Sequence, residues 1–106
     1  MTITELINKV SIEIKNWMDE FEFDTFEEMC RCYDWDSYGS RVEIMCTANK
    51  IINDDYDEFV DKFGLEYAIN NYRGIIMDDF GYLYDTNSNE EMQFRSFKNK
   101  VLSNLK

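Results

Sequence analysis

The chain contains no histidine, no proline and only four glycines in 106 residues. Without histidine it lacks the commonest general base and the commonest metal ligand, and neither a Ser/His/Asp nor a Cys/His nucleophile can be assembled. Without proline nothing forces a helix to stop, and so few glycines leave short loops. No apolar run approaches the roughly 20 residues of a membrane span. The opening MTITELINKV mixes polar and apolar residues and has no basic segment leading into an apolar one, so no secretory signal is expected and the chain reads as cytoplasmic. Cys30, Cys32 and Cys46 are an odd set in a chain large enough to fold without staples, which reads as reduced thiols. No phosphate-binding loop of either glycine-rich type is present, and the Asp79-Phe80-Gly81 trio matches a kinase motif only by chance.

Metal chemistry fares no better. Cys30-x-Cys32 lacks the spacing of a structural zinc site. DWDSYGSRVEIM begins like a calcium loop with Asp34, Asp36 and Gly39, but has Tyr38 and Met45 where oxygen ligands belong. DTNSNEEM, from Asp85, has Glu90 where that loop needs glycine. Both read as polar turns. Paired carboxylates serve glycosidases, but those enzymes need a cleft that a small helical domain rarely builds. No enzyme activity and no cofactor are expected.

What the chain does have is aromatic and acidic. Eight Phe, seven Tyr and two Trp, with a hydrophobic fraction of 44 %, supply a core for one domain over residues 1–106. The 22 acids against 11 bases give a net charge of −11. Such a field repels nucleic acid and anionic membranes and attracts a basic protein surface. The acidity is concentrated: residues 19–91 hold 20 acids and five bases, whereas residues 92–106 hold Arg95, Lys98, Lys100 and Lys106 and no acid.

The periodicity predicts a mainly α fold of about five or six short helices. The first carries a stripe from Ile3 through Leu6, Ile7, Val10, Ile14, Trp17 and Met18 to Phe21, with Thr2 and Glu5 at capping-box spacing. A second starts after Thr25, again with Glu28 three residues on, and turns Phe26, Met29, Cys30 and Tyr33 inward. A third is predicted after Ser40, paired with Glu43, with Val42, Met45, Cys46, Ile51 and Ile52 as its contacts. A fourth is predicted after Asn53, with Tyr56, Phe59, Val60 and Phe63 inward and Gly64 as its stop. A short fifth runs through Leu65, Ile69 and Tyr72. Residues 75–84 fit either a helix or a β-hairpin about Gly81, and the flanking residues favour the hairpin. The last helix is predicted from Ser88, boxed with Glu91, to the C-terminus.

Within DDYDEFVDKFG, residues 54–64, the acids Asp54, Asp57, Glu58 and Asp61 repeat the helical spacing of the apolar stripe two residues out of phase. Two residues rotate a helix by about 200°, so the acids lie opposite the apolar side. Surface helices ordinarily carry charge there. The overload is what stands out, because like charges a turn apart destabilise a helix by a few tenths of a kcal/mol per pair. It recurs in Asp19, Glu20, Glu22, Asp24, Glu27 and Glu28, in Asp34 and Asp36, and in Asp78 and Asp79. Duplex DNA presents one anion per ~1.7 Å of its axis, and carboxylates on rigid helices can imitate such an array. These fourteen acids are the candidate partner-binding residues. Tyr33, Trp35, Tyr38, Tyr56, Tyr67 and Tyr72 between them are candidates for specificity, with a core or half-buried place the favoured reading of each.

In size, helical make-up, acidity and aromatic content the chain resembles the small acidic proteins that phages and mobile elements deploy against host defence, such as the Ocr-type antirestriction proteins and acidic anti-CRISPR proteins. The basic stretch from Arg95 departs from the Ocr-type pattern, whose C-termini are acidic. The resemblance implies an inhibitor that occupies the nucleic-acid channel of a host nuclease, often as a homodimer, without binding nucleic acid itself. The competing expectation is an adaptor whose partner binds no nucleic acid and which uses an apolar patch.

Overall fold

A computed structural model describes residues 1–33, 37–78 and 81–106, with the side chains of Ser37 and Tyr38 excepted. The candidates Asp34, Trp35, Asp36 and Asp79 and the side chain of Tyr38 lie outside the described residues. Among the described residues there are five helices and three strands: α1 (Ile3–Glu20), α2 (Phe26–Cys32), α3 (Ser37–Phe63), α4 (Leu65–Asn71), β1 (Ile75–Met77), β2 (Tyr82–Asp85), β3 (Glu90–Gln93) and α5 (Phe94–Asn104). The fold is mainly helical, as expected, and the hairpin over residues 75–84 is present.

Helix α1 starts where its cap spacing predicts, with the Glu5 N–H donating to Thr2 Oγ1 at 3.1 Å. Ile3, Leu6, Ile7, Val10, Ile14 and Met18 are buried along one stripe. Its end is a Schellman turn, in which the Phe23 N–H reaches the Met18 carbonyl and the Glu22 N–H the Asp19 carbonyl. Phe21, predicted to face inward, is half exposed because it already belongs to this turn. Helix α2 is capped by Thr25, whose Oγ1 accepts from the Glu28 N–H at 3.0 Å. Phe26, Met29 and Cys30 are buried, but Tyr33 caps the last turn and is exposed.

The two helices predicted around Asn53 are one. Helix α3 runs 27 residues without a break, about 40 Å at 1.5 Å per residue, which matches the 44 Å long axis of the molecule. No glycine or proline lies between Ser40 and Phe63, and an interior Asn costs only about 0.7 kcal/mol relative to Ala. Asn53 therefore caps nothing, and the Ser40–Glu43 spacing falls inside the helix. The chain reverses at Gly64, whose φ of +89° suits a residue without Cβ, and α4 folds back on α3.

The strands form one antiparallel sheet in the order β1-β2-β3, with Ile75 opposite Asp85 and Leu83 opposite Met92. Strand β3 replaces the first turn of the predicted last helix. The Ser88 hydroxyl does not cap; it donates to Asp85 Oδ2 at 3.0 Å, while Asp85 Oδ1 accepts from the Asn87 N–H at 2.9 Å. These bonds satisfy a fully buried carboxylate and set the β2–β3 turn. The chain then pairs with β2, and helix begins only at Phe94, whose N–H is taken by the Gly81 carbonyl. From there α5 buries Phe94, Phe97, Val101 and Leu105. Helix α1 lies between α3 on one flank and α5 on the other. Asn104 Nδ2 donates to Ser11 Oγ at 3.2 Å, which ties α5 to α1.

Candidate interaction surface

The fusion of two predicted helices into α3 puts its acids in register. On an ideal helix Glu43, Asp54, Asp57, Glu58 and Asp61 fall within an arc of about 100°, opposite Ile52, Tyr56 and Phe59. Asp54, Asp57, Glu58 and Asp61 are exposed, and Glu43 is half-buried. From Asp54 to Asp61 the exposed acids span about 10 Å, the length of roughly three base pairs; Glu43 lies three turns back on the same side, with Thr47 and Lys50 between. A groove between α1 and α3 continues it sideways, lined by Glu13, Trp17 and Glu20 from α1 and by Glu43, Cys46, Thr47 and Lys50 from α3. Sequence reasoning missed Glu13 and Glu43. Glu43 was legible only on the premise of an unbroken helix, because eleven residues, three turns, separate it from Asp54.

Few bases interrupt this surface. Among the described residues one ion pair lies within 4 Å, Lys50 Nζ to Glu13 Oε1 at 3.4 Å. Both side chains are more than half exposed, so the pair is weak. None of Arg95, Lys98, Lys100 and Lys106 pairs with a described carboxylate. The basic end is held to the fold by the apolar side of α5 against α1.

Burial in the groove pushes the Glu43 carboxyl above its ordinary range. A carboxyl so raised favours the fold below its ordinary value, and that contribution fades as pH rises through the folded value. Glu43→Gln is therefore expected to raise the melting temperature at pH 7, with the gain vanishing as pH falls below about 4. Thermal melts at several pH values check this.

The second acidic group sits where α1 turns into α2. Asp19, Glu20, Glu22, Asp24 and Glu27 are exposed there. Glu28 is partly spent on structure, since its Oε2 accepts from the Asp24 N–H at 3.2 Å. Asp19 and Glu20 occupy the last turn of α1, where the helix dipole disfavours anions and no base compensates. Glu22 takes the left-handed position of the Schellman turn at φ 61°, a place glycine fills without strain. Glu22→Gly is expected to stabilise the chain by about 1 kcal/mol, a rise of about 4 °C in melting temperature. Asp78 stands apart, with its Oδ1 accepting from the Tyr82 N–H at 2.9 Å in the hairpin turn.

The aromatic candidates divide. Tyr56 and Tyr72 meet edge to face at 5.0 Å between ring centroids. The Tyr72 hydroxyl donates to Asp55 Oδ2 at 2.6 Å, and burial together with that carboxylate holds the phenol well above the usual tyrosine range. Both belong to a satellite cluster with Phe59. Tyr33 and Tyr67 are exposed; Tyr67 stacks on Phe59 at 6.0 Å, and Tyr33 lies edge-on to Phe23. Exposure of Phe63 and Val42 contradicts the expectation that they face inward, and Leu65 and Ile69 on α4 are exposed as well. For Leu65, Ile69 and Phe63 the reason is that α3 outruns the main core and only α4 covers its far end.

Among the described residues no three Cys, Asp or Glu side chains gather as metal ligands, and no helix is long and apolar enough to cross a membrane. Cys30 is a buried free thiol pushed up by burial and by Glu27, while the free thiols Cys32 and Cys46 are exposed. The chain matches no family model, no curated protein and no solved structure. The functional reading rests on the geometry of its own residues.

Proposed function

We propose that the chain is a non-catalytic inhibitor that presents a nucleic-acid-like acidic surface to a basic nucleic-acid-binding protein, a host defence nuclease being the target that its resemblance to small acidic anti-defence proteins implies. The observation that carries this reading is the exposed stripe Asp54–Asp57–Glu58–Asp61 on the far half of a rod about 40 Å long, with Glu13, Glu20 and the half-buried Glu43 lining the α1–α3 groove in line with it. A rod holds its carboxylates at fixed spacing, so little ordering entropy is lost on docking. The strained Glu22 and the uncompensated Asp19 and Glu20 support it further, because acids kept where they weaken the fold need a use elsewhere.

Inhibition is then occlusion of the phosphate-binding groove, with no bond made or broken. A fluorescent duplex bound to each of a panel of purified nucleic-acid-binding proteins, restriction and CRISPR-associated nucleases among them, tests this. The protein is expected to displace the duplex from at least one, and less well as salt rises from about 50 to 300 mM. Displacement from none at excess inhibitor would contradict it. The exposed apolar residues at the α3–α4 corner favour a second reading, an adaptor docking through that corner, which predicts binding without competition.

A further inference from the structure

Where α1 ends and α2 begins, aromatic rings and carboxylates alternate along the chain. Between Asp19 and Cys30 there are six acids and no base. Beside them stands a group of rings in mutual contact: Trp17 with Phe21 and with Tyr33, and Tyr33 with Phe23, at 6.1 to 6.4 Å between centroids. The core takes only part of this group. Phe21 is 50 % exposed and Tyr33 41 %, while Trp17 and Phe23 pack half-buried against the core. Trp17 also lines the α1–α3 groove of about 470 Å³, with Glu13 and Glu20 one turn to either side of it on α1 and Glu43 on α3. Side chains so spaced on a helix stand about 5–6 Å apart at Cβ. The groove already takes a cation of the chain's own, since Lys50, on its α3 side, places Nζ 3.4 Å from Glu13 Oε1.

We infer that this corner is a subsite for arginine side chains of the basic partner, and that it takes them in preference to lysine. The inference rests on the proposed docking of a basic protein and adds which of its side chains is read, and where. Charge fixes the sign of the occupant, because six acids without a base repel an anion and attract a cation. The rings select among cations. A guanidinium is planar and weakly hydrated, so it lies on an aromatic face while its N–H fork grips a carboxylate in two places. An ammonium is a compact, strongly hydrated charge and gives up more water to reach the same ring. Rings and carboxylates within a turn of each other, as at Glu13, Trp17, Glu20 and Phe21, meet both demands of a guanidinium at once. Tyrosine, tryptophan and arginine are also the residue types that carry most of the binding energy at interfaces. The stripe on α3 lacks this pairing. Tyr56 and Phe59 lie on the opposite side of the helix from Asp54, Asp57, Glu58 and Asp61, so the stripe answers to charge and not to the shape of the cation.

Calorimetric titration of the intact chain with hexa-arginine and with hexalysine, equal in charge, at about 150 mM salt tests it. Hexa-arginine is expected to bind about tenfold more tightly or better. The amide shifts that hexa-arginine causes and hexalysine does not should fall within residues 13–33. Phe21→Leu with Tyr33→Leu keeps apolar bulk and removes two rings. It should bring the ratio of affinities to about two or less, with hexalysine binding and circular dichroism as in the parent. Phe63→Leu with Tyr67→Leu, at exposed rings of the α3–α4 corner, should leave the ratio unchanged. Equal affinity for the two peptides, or binding of neither, overturns the inference. So does a preference that survives the loss of Phe21 and Tyr33, that is lost equally with Phe63 and Tyr67, or whose shifts centre on residues 54–61. The outcome is separate from that of the proposed inhibition. A chain that displaces DNA without preferring arginine keeps that function and loses this subsite. One that prefers arginine and displaces no DNA keeps the subsite and loses the function.

Discussion

Replacing Asp54, Asp57, Glu58 and Asp61 together by lysine is expected to abolish displacement of DNA from the target. All four are exposed on the solvent side of α3 and touch none of its core. Lysine is as good a helix former as glutamate and better than aspartate, so circular dichroism should remain helical. The loss should be complete because reversal turns attraction into repulsion at every contact, and charges juxtaposed with their own sign cost several kcal/mol at an interface. A control with the same change in net charge separates local contact from overall field. Glu5, Glu66, Glu90 and Glu91 are also exposed and lie off the stripe. Their reversal should retain displacement, with some loss from the weaker long-range field. Equal loss in both variants would mean that net charge alone drives the effect.

The largest effect on stability is expected at Phe97. Its ring is fully buried and packs against Phe94 at 5.8 Å, where α5 meets α1 and the sheet. Phe97→Ala should cost about 3–5 kcal/mol, the transfer energy of the ring plus the cavity left behind. A domain of this size has roughly 5–15 kcal/mol in total, so the melting temperature should fall by more than about 10 °C. Ile12→Ala, on the exposed side of α1, should stay within about 0.5 kcal/mol of the parent. Urea titration of the three proteins checks both values. A loss at Phe97 under about 1 kcal/mol would mean that α5 is not part of the core.

Local signals made α1 and α2 legible. Thr2 and Thr25 cap as their spacing predicts, because a hydroxyl three residues before a glutamate has a donor within reach of its own turn. The same spacing misled at Ser40 and Ser88. At Ser40 the helix runs through the preceding Gly39, whose cost of about 1 kcal/mol in a helix interior is not enough to stop it, so α3 starts earlier and the serine is swallowed. At Ser88 the buried carboxylate three residues back, Asp85, takes the hydroxyl into a turn, and pairing with β2 outweighs the helix propensity of residues 90–93. Neither the burial of Asp85 nor the strand pairing leaves a mark within a local window. The acid stripe was visible at residues 54–61 from periodicity alone, but its extension to Glu43, Glu13 and Glu20 depends on the unbroken α3 and on α1 lying beside it. Phe63 was read as facing inward because apolar spacing reports a shared face and not what covers it.

Carbodiimide coupling, which joins carboxylates to neighbouring lysines, tests the central claim most directly when applied to the complex with a displaced nuclease. The account predicts links from Asp54, Asp57, Glu58 and Asp61 to those lysines of the nuclease that bound DNA shields from acetylation. Links that arise chiefly from other carboxylates, or that end on lysines DNA leaves open, would contradict it.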